Sequence, residues 1–212
     1  MYYTSKESQG KRYITFLVRN ANLGAVASGI IFVNFTASGD YLMSYLLPDT
    51  ASEREFAIVY FQILITLIFG AILGGLASIP IVNSLGRRKA MIIADVLTII
   101  GCLIVIRSNL ITLLLGRVIC GAAMGLNMMV IPVYVREISP PELSGKLGSS
   151  FRICFTFGLL IPFVGTLGFL FEFPPDFLSE FVYRMPLLFA SARLVNLMKR
   201  VEFDTPQFYM DR

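Results

Sequence analysis

The chain has 212 residues, of which 56% are hydrophobic and only 15% are charged, and its formal net charge is +4. Soluble domains are about half apolar and about a quarter charged, so this composition indicates an integral membrane protein. The absence of histidine excludes a histidine proton relay, a histidine-ligated metal and a Ser-His-Asp triad. The basic residues lie in short clusters between apolar runs, a distribution that does not predict a nucleic-acid partner. We expect a non-enzymatic protein without metal or cofactor.

Six apolar runs follow a polar, basic N-terminal segment, residues 1–20, which is predicted to be cytoplasmic. A spanning helix needs about 20 predominantly apolar residues. The runs predict one domain, 21–201, with transmembrane helices at about 21–47, 56–82, 90–106, 110–135, 147–171 and 181–201, followed by the start of a cytoplasmic linker at 202–212. The third run is short, and the sixth is the weakest because it contains Arg193 and Asn196. Taken alone, the sixth run also fits a helix that lies on the membrane surface.

The distribution of lysine and arginine predicts the orientation of these helices. With a cytoplasmic N-terminus, twelve basic residues lie on the inner side and three on the outer side. Because cytoplasmic loops carry the excess of positive charge, both termini are predicted to be cytoplasmic. We expect a multi-pass protein of the plasma membrane, with an internal membrane as the alternative.

The fourth run combines an arginine with small residues at steps of four. Arg117, Gly121 and Gly125 share one helix face, which lets a neighbouring helix approach the backbone closely. Gly70, Gly74 and Gly75 on the second run predict another close helix crossing. A charge that faces lipid costs several kcal/mol, so Arg117 is expected to border the protein interior or a wet cavity.

Three cysteines are present, each in a different apolar run. Cys102, Cys120 and Cys154 include no Cys-x-x-Cys pair. We therefore predict small buried hydrophobic side chains rather than metal ligands or disulfide bonds.

Three motifs resemble those of sugar porters in the major facilitator superfamily. The most specific is Arg-x-x-x-Gly-x-x-x-Gly at 117–125 followed by Pro-x-Tyr-x-x-Glu-Ile-x-Pro at 132–140, which is similar to the fourth transmembrane helix of that family. Residues 83–89, Asn-Ser-Leu-Gly-Arg-Arg-Lys, resemble the loop Asp-Arg-x-Gly-Arg-Arg-Lys. Residues 203–208, Phe-Asp-Thr-Pro-Gln-Phe, stand where the family has Pro-Glu-Ser-Pro-Arg-Trp.

This resemblance implies an all-α integral membrane fold, a six-transmembrane-helix bundle equivalent to one half of a major facilitator fold with a 3+3 inverted repeat. The expected partners are the lipid bilayer and a sugar or similar solute, which is transported by alternating access. Full members consist of two such halves. We therefore expect a fragment of a longer carrier, or a half that pairs with a second half-transporter or as a homodimer. The alternative is a truncated, non-transporting membrane protein that associates with or regulates a full carrier.

The first candidate solute contacts are Asn34 and Arg117. Where the family has aspartate at the position of Asn34, it is associated with proton coupling, and asparagine is associated with passive carriers. The resemblance thus implies facilitated diffusion of a hexose-like solute rather than proton symport. At about 1.5 Å per residue, the two side chains also lie at similar depth in their predicted helices.

Further candidate contacts lie on the fifth run. Arg152 stands where sugar porters have a glutamine that hydrogen-bonds the sugar, and Phe155, Thr156 and Leu159 share its helix face. Because arginine is a permanently charged donor, an anionic solute becomes as reasonable as a neutral hexose. Alternatively, the long side chain of Arg152 reaches the inner surface and contacts no solute.

A cytoplasmic gate is implied by Arg87, Arg88, Glu137 and Asp204. In the family, such charges pair in the outward-open state and separate as the carrier opens inward. Three further positions of this cluster have lost their charge here, so a weaker lock is expected; they are Asn83, Ser144 and Gln207. The alternative is that the basic residues of this loop only set the membrane topology.

Overall fold

The structure is a computed structural model that describes residues 13–34, 52–105, 109–139, 144–166 and 175–199. Within these ranges all regular structure is α-helical, which confirms the predicted all-α class for this part of the chain. The described helices are α1 (Tyr13–Asn34), α2 (Glu53–Leu85), α3 (Arg87–Val105), α4 (Leu110–Ile138), α5 (Ser144–Thr166) and α6 (Pro175–Lys199).

Three of these helices, α1, α2 and α4, are long and apolar enough to cross a membrane. α1 begins at Tyr13, before the predicted run at 21–47, and α2 extends past both ends of the predicted run at 56–82. The helices are longer than the apolar runs because backbone hydrogen bonding continues into the polar flanking residues until a capping residue ends the helix. At the start of α2 the Ser52 hydroxyl accepts from the Glu55 N–H, and the Glu55 carboxylate accepts from the Ser52 N–H.

α1 and α4 form the inside of the bundle, and α2 lies on its outside. In the most apolar part of each helix, 78% of the residues are buried in α1 and 61% in α4, against 17% in α2. α4 packs mainly against α2 and α3, and α3 also packs against α6. Polar side chains on α1 and α4 therefore face protein rather than lipid, which is where a membrane protein tolerates them.

Glycines allow α2 and α4 to cross with their backbones in contact. A Cβ added at Gly70, Gly74, Gly121 or Gly125 would collide in each case with a backbone carbonyl oxygen of the facing helix. A larger residue at any of these positions would push the two helices apart. The crossing thereby fixes the position of α4, the helix that carries Arg117.

The same kind of contact occurs between α1 and α5. A Cβ at Gly29 would collide with the carbonyl oxygen of Phe155, and one at Gly158 would collide with that of Val26. If the first three helices are matched in order with the last three, α1 corresponds to α4 and α5 corresponds to α2. The α1–α5 contact is then equivalent to the α4–α2 contact. The described helices thus use one type of crossing twice.

A single residue, Gly86, joins α2 to α3. Its φ of 87° lies in the left-handed region that favours glycine, and its N–H donates to the Val82 carbonyl at 3.0 Å. The turn lets α3 begin at once with Arg87. Apolar side chains of α1, α3, α4 and α6, among them Tyr134 and Leu197, form a core cluster near this turn. We call this end of the bundle the Gly86 end.

Candidate functional site

A small cavity lies between α1, α3, α4 and α6, remote from the Gly86 end. Its volume is about 20 Å³, which accommodates roughly one water molecule. Among its polar groups are the Arg117 guanidinium, 3% exposed, and the Asn34 amide, 5% exposed. The lining residues are Ile31, Asn34, Cys102, Val105, Arg117, Cys120 and Pro186.

Helix geometry explains why Asn34 and Arg117 reach the same cavity. Asn34 lies about 32 Å along α1 from Tyr13, and Arg117 lies about 32 Å along α4 from Ile138, at 1.5 Å per residue. Both distances are measured from the Gly86 end, so the side chains lie at the same level. The structure thus brings together the two polar residues that the sequence placed at similar depth.

The Arg117 guanidinium and the Asn34 amide supply hydrogen-bonding groups to the cavity. A guanidinium only donates hydrogen bonds, whereas an amide both donates and accepts them. Within the part of the chain that the structure describes, no carboxylate lines the cavity. These groups suit a neutral, hydroxyl-bearing molecule, whose hydroxyls accept from the guanidinium and exchange hydrogen bonds with the amide.

A second buried polar group, closer to the Gly86 end, is centred on Arg193 of α6. This side chain has no solvent exposure, and its Nε donates to both carboxylate oxygens of Asp95 on α3, at 2.8 Å and 2.9 Å. Its Nη2 donates to the Asn127 amide oxygen at 2.8 Å and to the Met91 carbonyl at 3.2 Å. Its Nη1 donates to the Ala21 carbonyl at 3.4 Å. One guanidinium therefore joins four helices.

Sequence reasoning missed this network. It assigned no role to Asp95 and treated Arg193 as a weakness of the sixth span. The available signal was opposite charge at similar depth, since Asp95 lies about 12 Å from the start of α3 and Arg193 about 9 Å from the end of α6. Gly24 on α1 makes room for the pair, because a Cβ there would collide with the Arg193 guanidinium.

A third group of charges lies at the Gly86 end. Arg87 pairs with Glu137, with Nη2 at 2.7 Å and Nε at 3.1 Å from the same carboxylate oxygen. Arg88 instead donates from Nε and Nη2 to the Leu197 carbonyl, at 3.2 Å and 2.9 Å. Carbonyls in the last turn of a helix lack partners within that helix, so Arg88 caps the end of α6. Asp204, the fourth predicted member, lies outside the described residues.

The α5 residues predicted to contact solute lie apart from the cavity. Arg152 and Thr156 are exposed, and Phe155 and Leu159 are half-buried. None of these four side chains is among the residues that line the cavity around Asn34. The Phe155 ring stacks on its α5 neighbour Phe151, with centroids 6.4 Å apart.

Solved structures of transporters share the fold of this chain. The match with the inward-open xylose transporter XylE from E. coli covers 93% of this chain and 49% of the XylE chain, with a TM-score of 0.80 at 20% identity. The match with the proton:xylose symporter XylE bound to 6-bromo-6-deoxy-D-glucose covers 96% of this chain and 47% of the XylE chain, with a TM-score of 0.83 at 21% identity. The chain therefore has the fold of a major facilitator protein over about half the length of such a protein.

Sequence comparison then identifies the family. The family profile described as Sugar (and other) transporter matches residues 21–192. The chain belongs to this family, whose members are transporters rather than enzymes, and the sequence-based assignment to the sugar porters is confirmed.

Individual relatives match over part of their length. The glucose transporter GlcP of Staphylococcus epidermidis is 37% identical over 162 residues, which are 76% of this chain and 34% of the relative. The proton myo-inositol cotransporter hmit-1.1 of Caenorhabditis elegans is 28% identical over 190 residues, 87% of this chain and 30% of the relative. The chain thus spans about a third of the length of these curated relatives.

Proposed function

We propose that this chain forms one half of a carrier for a hexose-like sugar and works by alternating access. The observation that supports this proposal is the burial of Arg117 and Asn34 around one cavity between α1 and α4. Relatives are named as transporters of glucose, myo-inositol and trehalose, all of which carry several hydroxyl groups. A guanidinium and an amide supply the hydrogen bonds that such hydroxyls need.

The solute site is completed by a second half. A cavity of about 20 Å³ is much smaller than a hexose, so this half supplies polar contacts at one wall of the site. A second six-helix unit, in the same polypeptide, in another one or in a second copy of this chain, supplies the other wall. The α5 face that carries Arg152 and Thr156, which is exposed here, would meet the solute only in that assembly, together with Phe155 and Leu159.

Transport is passive in this proposal. The Asn34 amide does not ionise, the Arg117 guanidinium keeps its proton, and none of the described residues that line the cavity is a carboxylate. A proton-coupled carrier needs a group that binds and releases a proton during the cycle. The described cavity offers no carboxylate or imidazole for that purpose.

The proposed topology has six spans, both termini in the cytoplasm and the gate at the Gly86 end. The Arg87–Glu137 pair and the Arg88 cap on α6 hold α3, α4 and α6 together there. In an alternating-access cycle this contact would loosen as the carrier opens inward, with Asp204 as a further partner. The repeated glycine crossing of α2 with α4 and of α1 with α5 supports a 3+3 arrangement of the spans.

Uptake of labelled glucose, myo-inositol and trehalose into vesicles that hold this half assembled with its second half tests the proposal. We expect saturable uptake of at least one of them, unaffected by an imposed proton gradient. Asn34→Ala should reduce uptake roughly tenfold, because it removes hydrogen bonds worth about 1–3 kcal/mol. Gly75→Ala, at a position with no neighbour within 4 Å, is the matched control. Folded, helix-rich protein that takes up none of the three solutes would overturn the proposal.

The same vesicles test the solute class. If the solute is a neutral sugar, Arg152→Gln should preserve glucose uptake, and a phosphorylated hexose should compete poorly with glucose. Strong competition by the phosphorylated sugar that disappears in Arg152→Gln would indicate an anionic solute instead.

A further inference from the structure

We propose that Cys102 and Cys120 form a two-thiolate binding site for a soft monovalent cation of the Cu⁺ or Ag⁺ class. Both residues are 5% exposed, both carry free thiols, and both line the cavity that contains Arg117. They belong to different helices, Cys102 to α3 and Cys120 to α4. The site is therefore a bridge between two helices at the wall of the cavity, and not a pair of isolated buried cysteines.

The packing of α3 against α4 places the two cysteines in one buried cluster. The buried members of this cluster are Ile31, Leu67, Cys102 and Cys120. Gly101 makes this approach possible, because a Cβ at that position would lie 2.5 Å from the Cys120 sulfur. The Cys120 thiol of α4 therefore lies against the backbone of α3 at Gly101, the residue that precedes Cys102.

The ligand set selects the class of ion. Within the described ranges, no group of three or more His, Cys, Asp and Glu side chains could hold a metal, so these residues offer no four-ligand site of the zinc type. Two thiolates suffice for a soft d¹⁰ monovalent cation, and thiolate ligands favour Cu⁺ over hard cations. On binding, two S–H bonds break, two metal–sulfur bonds form and two protons leave, with no oxidation or reduction.

The charge and size of the cavity agree with this choice. A monovalent cation held by two thiolates carries a net charge of −1, which the Arg117 guanidinium on the same cavity wall balances. Such balance matters because an isolated charge in a low-dielectric interior is costly. The volume of about 20 Å³ accommodates a bare monovalent ion.

Binding would also affect transport, and this consequence rests on the proposed function. An ion held by Cys102 and Cys120 would link α3 to α4 one turn from Arg117 and change the charge at the solute site. We therefore expect Ag⁺ to inhibit sugar uptake. The binding experiment below does not depend on transport, so failure of the carrier proposal would leave it interpretable.

Silver titration of the purified full chain tests the site, in chloride-free buffer with glutathione as a competing monothiol. Native mass spectrometry should find one Ag⁺ per chain, and alkylation should find one reactive thiol instead of the three free cysteines. Cys102→Ala and Cys120→Ala should each weaken Ag⁺ binding by more than roughly tenfold, since even outer partners of a metal contribute that much. Cys154→Ala, which alters the remaining thiol on α5, is the matched control and should bind Ag⁺ as the unmodified chain does.

Two results would overturn the proposal. One is silver binding that survives in both Cys102→Ala and Cys120→Ala. The other is an alkylation count that Ag⁺ lowers by one thiol, or not at all. The alkylation measurement uses the unmodified chain, so it decides the question even if a cysteine variant fails to fold.

Discussion

The Arg193 guanidinium on α6 and the Asp95 carboxylate on α3 form a fully buried ion pair, with Nη2 at 2.6 Å from Oδ1. Either charge alone would make its helix costly to hold in a bilayer. Together, and with Asn127 completing the hydrogen bonds, they satisfy each other inside the bundle. The arginine that weakens α6 as an isolated span thus helps to attach α6 to the other helices.

Asp95→Asn should therefore destabilise the chain by about 3 kcal/mol or more, because it leaves a buried guanidinium without its counter-charge. Denaturant titration of the protein in detergent, followed by helical circular dichroism, measures the change. The double variant Asp95→Leu with Arg193→Leu is the control, since replacing both partners by apolar groups is often close to neutral. If the single variant is as stable as the original chain, the pair does not hold α6 in place.

The α2–α4 crossing makes a second prediction, in which neighbouring glycines differ sharply. Gly74→Ala should destabilise the chain, because the new Cβ would collide with the Ala122 carbonyl of α4 and separate the helices. Gly75→Ala places its Cβ where nothing lies within 4 Å and should stabilise the helix by about 1 kcal/mol. The same unfolding experiment compares the two variants. Equal effects would show that α2 and α4 do not meet through Gly74.

Much of the arrangement around Arg117 could be predicted from the sequence, because it depends on spacing within one helix and depth within a span. Glycines at steps of four indicate a close crossing whatever the neighbouring helix is. Partners from distant spans are harder to predict, since hydrophobic runs do not say which helices are adjacent. For this reason the pairing of Asp95 with Arg193 could not be predicted. Whether Arg152 faces a solute depends on the rotation of α5 about its axis, which a hydrophobic run does not give.

The charges at the Gly86 end provide a prediction about coupling between residues. Arg87 and Glu137 form a pair whose side chains are 11% and 10% exposed, respectively. A double-mutant cycle with Arg87→Gln and Glu137→Gln should give an interaction energy of about 1–2 kcal/mol. Arg88 donates to the Leu197 carbonyl of α6 rather than to Glu137, so the cycle of Arg88→Gln with Glu137→Gln should give a value near zero. Unfolding in detergent measures both cycles, and equal values would argue against a specific Arg87–Glu137 pair.

The cavity itself makes the last prediction, which tests passive transport. Asn34→Asp replaces an amide by a carboxylate beside the same cavity as Arg117, and so introduces a group that can bind and release a proton. Sugar uptake by this variant should depend on an inward proton gradient, whereas uptake by the unmodified protein and by Asn34→Gln should not. The measurement is initial uptake into vesicles with and without the gradient. Gradient-driven uptake in the unmodified protein would mean that a proton carrier exists elsewhere in the assembly, and Asn34 would then not determine the coupling.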